Sequence, residues 1–274
     1  MLNVSIVLYE PDWQEVAALT TVLLQSEQVR RVYWVDNSPT SALSLPIESE
    51  RLTYLFNDKN LGYGAAHNIA IRESVYDEVP FHLVINPDIQ LTAGALEQML
   101  LFMRQYPDVG QLMPHVVSPN GDTQYLCKLL PTPIDVFGRR FLPARLMARR
   151  NARYELRESG YDKLMNVPYL SGCFMLLRTE AVLKAGLFDE RFFMYPEDID
   201  LTRRIHREYL TVYFPHATIV HNHAKASYHS MKMLWIHIVN MCRYFNKWGW
   251  FYDPERRMMN QLTRETYLPS EQQH

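Results

Sequence analysis

Over residues 1–106 the chain alternates β-branched runs with stretches of helical apolar spacing, and this alternation constrains the fold more than any other feature. NVSIVLY (3–9) is followed by WQEVAALTTVLLQ (13–25) and RVYWVD (31–36). LTYLFN (52–57) leads through a glycine-containing loop to AAHNIAIRES (65–74), and FHLVIN (81–86) leads to AGALEQMLLFMRQY (93–106). Strands alternating with helices of this length predict an α/β fold with a Rossmann-like, mostly parallel central sheet and helices on both faces. Ligands of such sheets collect at the carboxyl ends of the strands. That singles out Tyr9 and Glu10, Asp36 and Asn37, the loop from Asp58 to Tyr63, and Asn86 to Asp88. The layout suits a nucleotide, but no G-x-G-x-x-G follows the first strand and no G-x-x-x-x-G-K-[ST] occurs.

Beyond residue 107 the alternation stops. A hairpin is expected around Asn120 and Gly121, a strand over YLSGCFMLLR (169–178) and a short helix over TEAVLKAG (179–186) with Thr179 at its cap. VYFPHATIVHNH (212–223) predicts two further short strands, and the aromatic tail from 228 to 253 is helical at first. The chain is 274 residues long and 47% hydrophobic, enough for one large core. Its formal charge of -2 provides no global field for nucleic acid. Cys127, Cys173 and Cys242 lie far apart and form no C-x-x-C, so neither a disulfide framework nor a zinc site is suggested and a reducing cytosol is expected. The N-terminal stretch lacks the features of a signal peptide, and no apolar run approaches the roughly 18 residues of a membrane span.

Several short motifs each admit a structural and a chemical explanation. FFMYPEDIDL (192–201) packs Glu197, Asp198 and Asp200 into four positions after Pro196, as a helix start or an acidic site would. Asn86-Pro87-Asp88 at a strand end makes a turn, or places a carboxylate on a cation that bridges nucleotide phosphates. Asp36 suits an Asx turn, or hydrogen bonds from a base imide or ribose hydroxyl. Gly62 and Gly64 in NLGYGAAHN (60–68) give backbone freedom before a helix N-terminus, where amides can face an anion. His221 and His223 alternate so that both point to one side, as surface residues or as metal ligands.

Taken in order, VSIVLY, VDNS (35–38), NLGYGAAHN, INPD (85–88), SGCFMLLR (171–178), GLFDERFFMYPEDIDLTRR (186–204) and VHNH (220–223) resemble the inverting family 2 glycosyltransferases of the GT-A fold. The likeness is to their rhamnosyltransferase-like members and covers about residues 1–230. It implies a catalytic domain over 1–230, with a nucleotide-sugar half (1–110) and an acceptor half (111–230), followed by a helical extension over 231–274. It further implies a divalent cation, Mg²⁺ or Mn²⁺, on Asp88 with His221 and His223, and Asp198 as general base. Donor contacts are implied for Tyr9, Asp36, Asn60, Gly62, Tyr63, Asn68, Asn86 and Asp88, and acceptor contacts for Glu197, Gly172 and Arg204. Asn86 stands where the family usually has the first Asp of D-x-D, and the Q-x-x-R-W of processive members is missing, so one sugar per encounter is expected.

The segment 128–157 carries Lys128, Arg139, Arg140, Arg145, Arg149, Arg150, Arg153 and Arg157 interleaved with Leu, Phe and Met. It is either a solvated face or a basic amphipathic surface for anionic lipid, with Arg139, Arg140, Arg149 and Arg150 as contacts for membrane or lipid diphosphate. By resemblance the partners are a nucleoside diphosphate sugar, dTDP-rhamnose favoured, and a polyprenyl diphosphate-linked saccharide at the inner face of the cytoplasmic membrane. Two other readings remain: a sugar nucleotidyltransferase, against which VLYEPDWQE offers no Gly-rich basic loop, and a non-catalytic sugar-nucleotide or membrane-binding protein.

Overall fold

The computed structural model describes residues 1–42, 44–222 and 231–268. Strands β1 (Leu2–Leu8), β2 (Val29–Asp36) and β3 (Leu52–Phe56) alternate with helices α1 (Trp13–Gln25) and α2 (Tyr63–Tyr76). Next come β4 (Phe81–Ile85), β5 (Ile89–Leu91), α3 (Ala95–Gln105) and β6 (Val109–Val117). Apart from β5 and β6, which the periodicity did not single out, these elements lie within two residues of the positions it predicts. After β7 (Cys127–Lys128), a π-helical turn at Ile134–Gly138 runs into α4 (Arg139–Phe141) and α5 (Ala144–Tyr154). The chain continues through β8 (Met165–Asn166), β9 (Tyr169–Leu170), β10 (Phe174–Arg178), α6 (Thr179–Ala185), α7 (Glu197–Ile205), β11 (Leu210–His221), α8 (Met231–Trp248) and α9 (Pro254–Tyr267).

The sheet runs β3-β2-β1-β4-β10-β6-β11-β5, with β8 against β11. Its first four strands are parallel, β10 runs antiparallel between β4 and β6, and β6 pairs parallel with β11. Both faces are covered. Leu83 and Ile85 of β4 share a core with Leu19 and Leu23 of α1 and Met99 and Met103 of α3. Val84, facing the other way, packs with Ile71 of α2, Val182 of α6 and Leu201 of α7.

Three expectations change. The stretch 169–178 is two strands: β9 pairs with β7 in a separate ribbon, and the break at Ser171–Cys173 leaves Gly172 at the sheet's carboxyl edge. Residues 210–221 form one strand instead of two, because a register shift between Phe214 and Thr218 absorbs the irregularity. At Asn120–Gly121 the chain turns tightly, but only the Val117–Thr123 bridge follows.

The tail packs on the acidic helix. Met241, Tyr244 and Phe245 of α8 and Met259 of α9 form a core with Leu130, Tyr169, Phe192 and Ile199. Arg203 of α7 is 1% exposed; its guanidinium donates to both Asp253 carboxylate oxygens at 2.7 Å and to Glu255 at 2.9 Å, under the Trp248 ring. Removing one partner of a buried pair leaves an uncompensated charge and costs about 3–5 kcal/mol. Asp253→Ala should therefore lower stability by about that much in urea unfolding. A change within experimental error would mean that Glu255 alone satisfies Arg203.

Candidate active site

The site forms where the carboxyl ends of β1, β2 and β4 meet the N-terminus of α7. Pro196 stands at the N-cap, one position before the place its rigid ring suggested, and Glu197, Asp198 and Asp200 fill the first turn. The carboxylates diverge in environment. Asp198, only 8% exposed, accepts from Gly172 N–H at 2.8 Å through Oδ2 and from Ile199 N–H at 2.7 Å through Oδ1, with Tyr169 OH 3.5 Å from Oδ2. A Cβ at Gly172 would come within 3.0 Å of Asp198 Cβ, so the absence of a side chain there is what lets the amide reach the carboxylate.

Burial pushes the Asp198 carboxyl up to about 6, against the lowering pull of the Gly172 amide and the Lys128 ammonium. Glu197 is pushed well above the usual carboxylate range by burial and by the charge on Asp198, and its buried Oε2 has no hydrogen-bond partner. Asp200 is fully engaged, with Arg204 Nε at 2.8 Å, Trp248 Nε1 at 2.8 Å and Lys247 Nζ at 2.6 Å.

Across from this helix start lies Asn86-Pro87-Asp88. Asp88 Oδ1 is buried without a hydrogen-bond partner, and Oδ2 lies 3.4 Å from His221 Nε2. Gln124 holds the imidazole: its Nε2 donates to the His221 carbonyl at 2.8 Å, which turns Oε1 toward Nδ1 at 3.0 Å. Nδ1 therefore carries a proton and the ring is held with Nε2 toward Asp88, the orientation found behind metal-bound histidines. Gln124 carried no sequence signal. A carboxylate oxygen without a partner beside an oriented imidazole suits Mg²⁺ or Mn²⁺, with remaining positions left for phosphate oxygens. Among the described residues no third His, Cys, Asp or Glu joins them; His223 lies outside the described residues.

Tyr63 connects the two sides. Its hydroxyl lies 2.7 Å from the Gly172 carbonyl and 3.0 Å from Asn86 Oδ1, and it is within electrostatic reach of Asp88, Glu197 and Asp198. Beneath it, the His67 ring at 4.4 Å belongs to a buried chain in which Ser5 Oγ bridges His67 Nδ1 at 2.7 Å and His82 Nε2 at 2.8 Å.

The loop before Tyr63 is clamped to the acidic segment. Gly62 adopts φ +88°, and a Cβ there would meet the Phe193 carbonyl at 2.3 Å; that same carbonyl accepts from Tyr63 N–H at 3.0 Å. Asn60 closes the turn by accepting from Gly62 N–H at 3.0 Å. Tyr9, 53% exposed at the end of β1, is open to stack on a ring. Asp36 forms the Asx turn: Oδ1 accepts from Ser38 N–H at 2.8 Å and Oδ2 from Tyr54 OH at 2.6 Å.

Two residues expected to touch substrate are braces instead. Asn68 exchanges hydrogen bonds with the Phe188 backbone and donates to Glu190, which leaves its amide nothing to offer a donor. Arg204 spends its Nε and both terminal nitrogens on Asp200 and the carbonyls of Ala185, Gly186 and Leu187, which makes it a brace of the turn before α7. In the basic segment, Arg139 pairs with buried Glu155 and Arg150 with Asp135 at 2.5 Å, while Arg149 is exposed on α5.

Residues 13–185 match the family model described as glycosyl transferase family 2. The chain is 30% identical over 248 residues to an N-acetylglucosaminyl-diphospho-decaprenol L-rhamnosyltransferase of Mycobacterium tuberculosis, covering 83% of this chain and 78% of that one. It is 26% identical over 182 residues to the low-salt glycan biosynthesis hexosyltransferase Agl10 of Haloferax volcanii, covering 65% of this chain and 54% of that one. Among solved structures, the mannosyltransferase PcManGT of Pyrobaculum calidifontis, in complex with GDP-Man and Mn²⁺, superimposes with a TM-score of 0.56 at 15% identity, over 97% of this chain and 74% of that one. GalNAc-T7 with UDP, GalNAc and Mn²⁺ gives 0.58 at 11% identity over 81% of this chain, which spans less than half (43%) of its length. The fold is thus that of GT-A glycosyltransferases.

Gly62→Ala tests the clamp. Strain at φ +88° and the contact with Phe193 should lower stability by roughly 1–3 kcal/mol, read as a shifted urea midpoint. An unchanged midpoint would show that loop 60–63 is free of the acidic segment.

Proposed function

The chain belongs to glycosyltransferase family 2, and from that premise we propose that it is an inverting enzyme adding one rhamnose, from dTDP-rhamnose, to a sugar carried on a polyprenyl diphosphate. The observation that carries this reading is a buried, doubly hydrogen-bonded Asp198 gathered with Asp88 around Tyr63. A carboxyl raised to about 6 by burial has the proton affinity of a general base at neutral pH, a role worth roughly 10² to 10⁴ in rate.

In this reading the acceptor oxygen bonds to the anomeric carbon as the bond from that carbon to the diphosphate oxygen breaks. The hydroxyl proton passes to Asp198, and the bonding electron pair leaves with the nucleoside diphosphate. A single displacement from the opposite face inverts the centre. Glu197, kept protonated by burial and by its charged neighbour, offers its buried Oε2 as a hydrogen-bond donor to a substrate hydroxyl. Tyr9 and the loop Asn60–Tyr63 border the nucleotide, and Asn86 faces its ribose or phosphates. Held by Asp88 and His221, a divalent cation would neutralise charge on the departing diphosphate.

Rhamnose and the lipid carrier rest on the mycobacterial relative, whose name specifies both a rhamnosyl transfer and a decaprenol-linked sugar. Among the described residues no helix is long and apolar enough to cross a membrane, so a lipid-linked acceptor would be met from the bilayer surface, the inner face of the cytoplasmic membrane in this reading.

Asp198→Asn should bind dTDP-rhamnose as the wild type does and lose transfer by about 10² or more. In the wild type kcat/KM should fall as pH drops through about 6, because only the ionised carboxylate accepts the proton. Full turnover by the variant would remove Asp198 as base. Asp88→Ala should abolish the Mn²⁺ dependence of dTDP binding in calorimetry; an unchanged dependence would place the cation elsewhere.

A further inference from the structure

A cavity of about 280 Å³ reaches α7 at Ile199, the residue after the proposed base. Its polar wall is Lys128 of β7 with Arg139 and Arg140 of α4, and its apolar wall is Met233, Leu234 and Met241 of α8. Tyr169 and Ile199 close the end next to Asp198. Lys128 Nζ sits 5.1 Å from the centroid of the Tyr169 ring, whose hydroxyl is 3.5 Å from Asp198 Oδ2. One aromatic ring thus separates this ammonium from the base.

The charges in the cavity do not cancel. Asp135 also lines it, but its carboxylate is satisfied by Arg150 and by the Thr132 amide and hydroxyl. Glu155, the partner of Arg139, is shared with Arg157. Among the described residues no carboxylate lies within ion-pair distance of Lys128, and burial and Arg139 both work against its charge. A half-buried ammonium beside the Arg139 guanidinium awaits an anion. Exposed apolar side chains adjoin the lining residues in the chain: Phe141 and Leu142 follow Arg140, and Trp235, 67% exposed, follows Leu234.

We propose that this cavity seats the diphosphate of a prenyl diphosphate-linked acceptor, with Lys128, Arg139 and Arg140 on the phosphates and α8 along the first isoprene units. The sugar joined directly to that diphosphate then spans the width of Tyr169 and presents its hydroxyl to Asp198. Sugars further from the lipid overshoot the base, so the site selects a monosaccharide on its carrier. The assignment rests on the acceptor class proposed above, and it adds a place and a length limit to it.

The test uses the full chain and farnesyl diphosphate as probe, in calorimetry with dTDP and Mn²⁺ already bound. Farnesyl diphosphate should bind with dTDP in place, farnesol and inorganic diphosphate should each bind at least about tenfold more weakly, and Lys128→Met should weaken the probe about tenfold or more. Affinity for dTDP and the thermal midpoint should not move, and Lys128→Arg should restore part of the loss. Should Lys128→Met perturb folding, Arg140→Met carries the same expectation from another position on the polar wall. Competition between farnesyl diphosphate and dTDP, or equal binding by wild type and both variants, overturns the assignment. Inorganic diphosphate binding as well as the prenyl ester would reduce the cavity to a simple anion site and overturn it too. Failure of dTDP itself to bind would instead count against the donor, leaving the two readings separable.

Discussion

The contact on which the site depends is the absence of two side chains. Gly62 lies against the Phe193 carbonyl and Gly64 against the Phe188 ring, with a Cβ at either point falling under 3.0 Å from its neighbour. The loop at the end of the nucleotide half therefore touches, backbone to backbone, the segment that launches α7. Asn68 adds a reciprocal pair of hydrogen bonds to Phe188. Because Tyr63 follows Gly62 directly and Asp198 lies five residues after Phe193, packing at these points restrains their separation, as a constellation needing sub-ångström order requires.

That rigidity supports an electrostatic arrangement that folding alone would not favour. Asp198 and Glu197 are buried together, Asp88 turns an unsatisfied oxygen inward, and Tyr195, next to the acidic turn, is held at φ +92°. Strained backbone and poorly compensated carboxyls persist only where the surroundings over-determine them. Here the surroundings are the sheet core on one side and the α8–α9 cluster on the other. In the proposed reading a cation and substrate hydroxyls would supply the missing partners, and the free protein would already be shaped for its occupied state.

Much of this was legible in the sequence. Period-two and period-3.6 patterns locate β1 through α3 closely because each element buries one face on a shared core. The strand-end rule puts Asn86 and Asp88 just after β4, and the acidic run puts Asp198 in the first turn of α7, where the structure has them, since those signals are local. The rest depends on contacts distant in the chain. Nothing near Asn68 or Arg204 reveals that their polar atoms are consumed by residues 185–190, and nothing near Lys128 reveals that Tyr169, Ile199 and α8 gather around it. The division of 169–178 into two strands was hidden for the same reason: only pairing with β7 on one side and β4 on the other separates them.

The buried pairing of Arg203 with Asp253 and Glu255 has a consequence for how the protein is made. The helix bearing the proposed base emerges from the ribosome roughly fifty residues before the carboxylates that neutralise its arginine. Until then α7 carries a cation with no buried counter-charge and cannot settle against its core. Seating of the acidic helix is thereby tied to the last elements of the chain to be made, so its docking is a late event set by the order of synthesis.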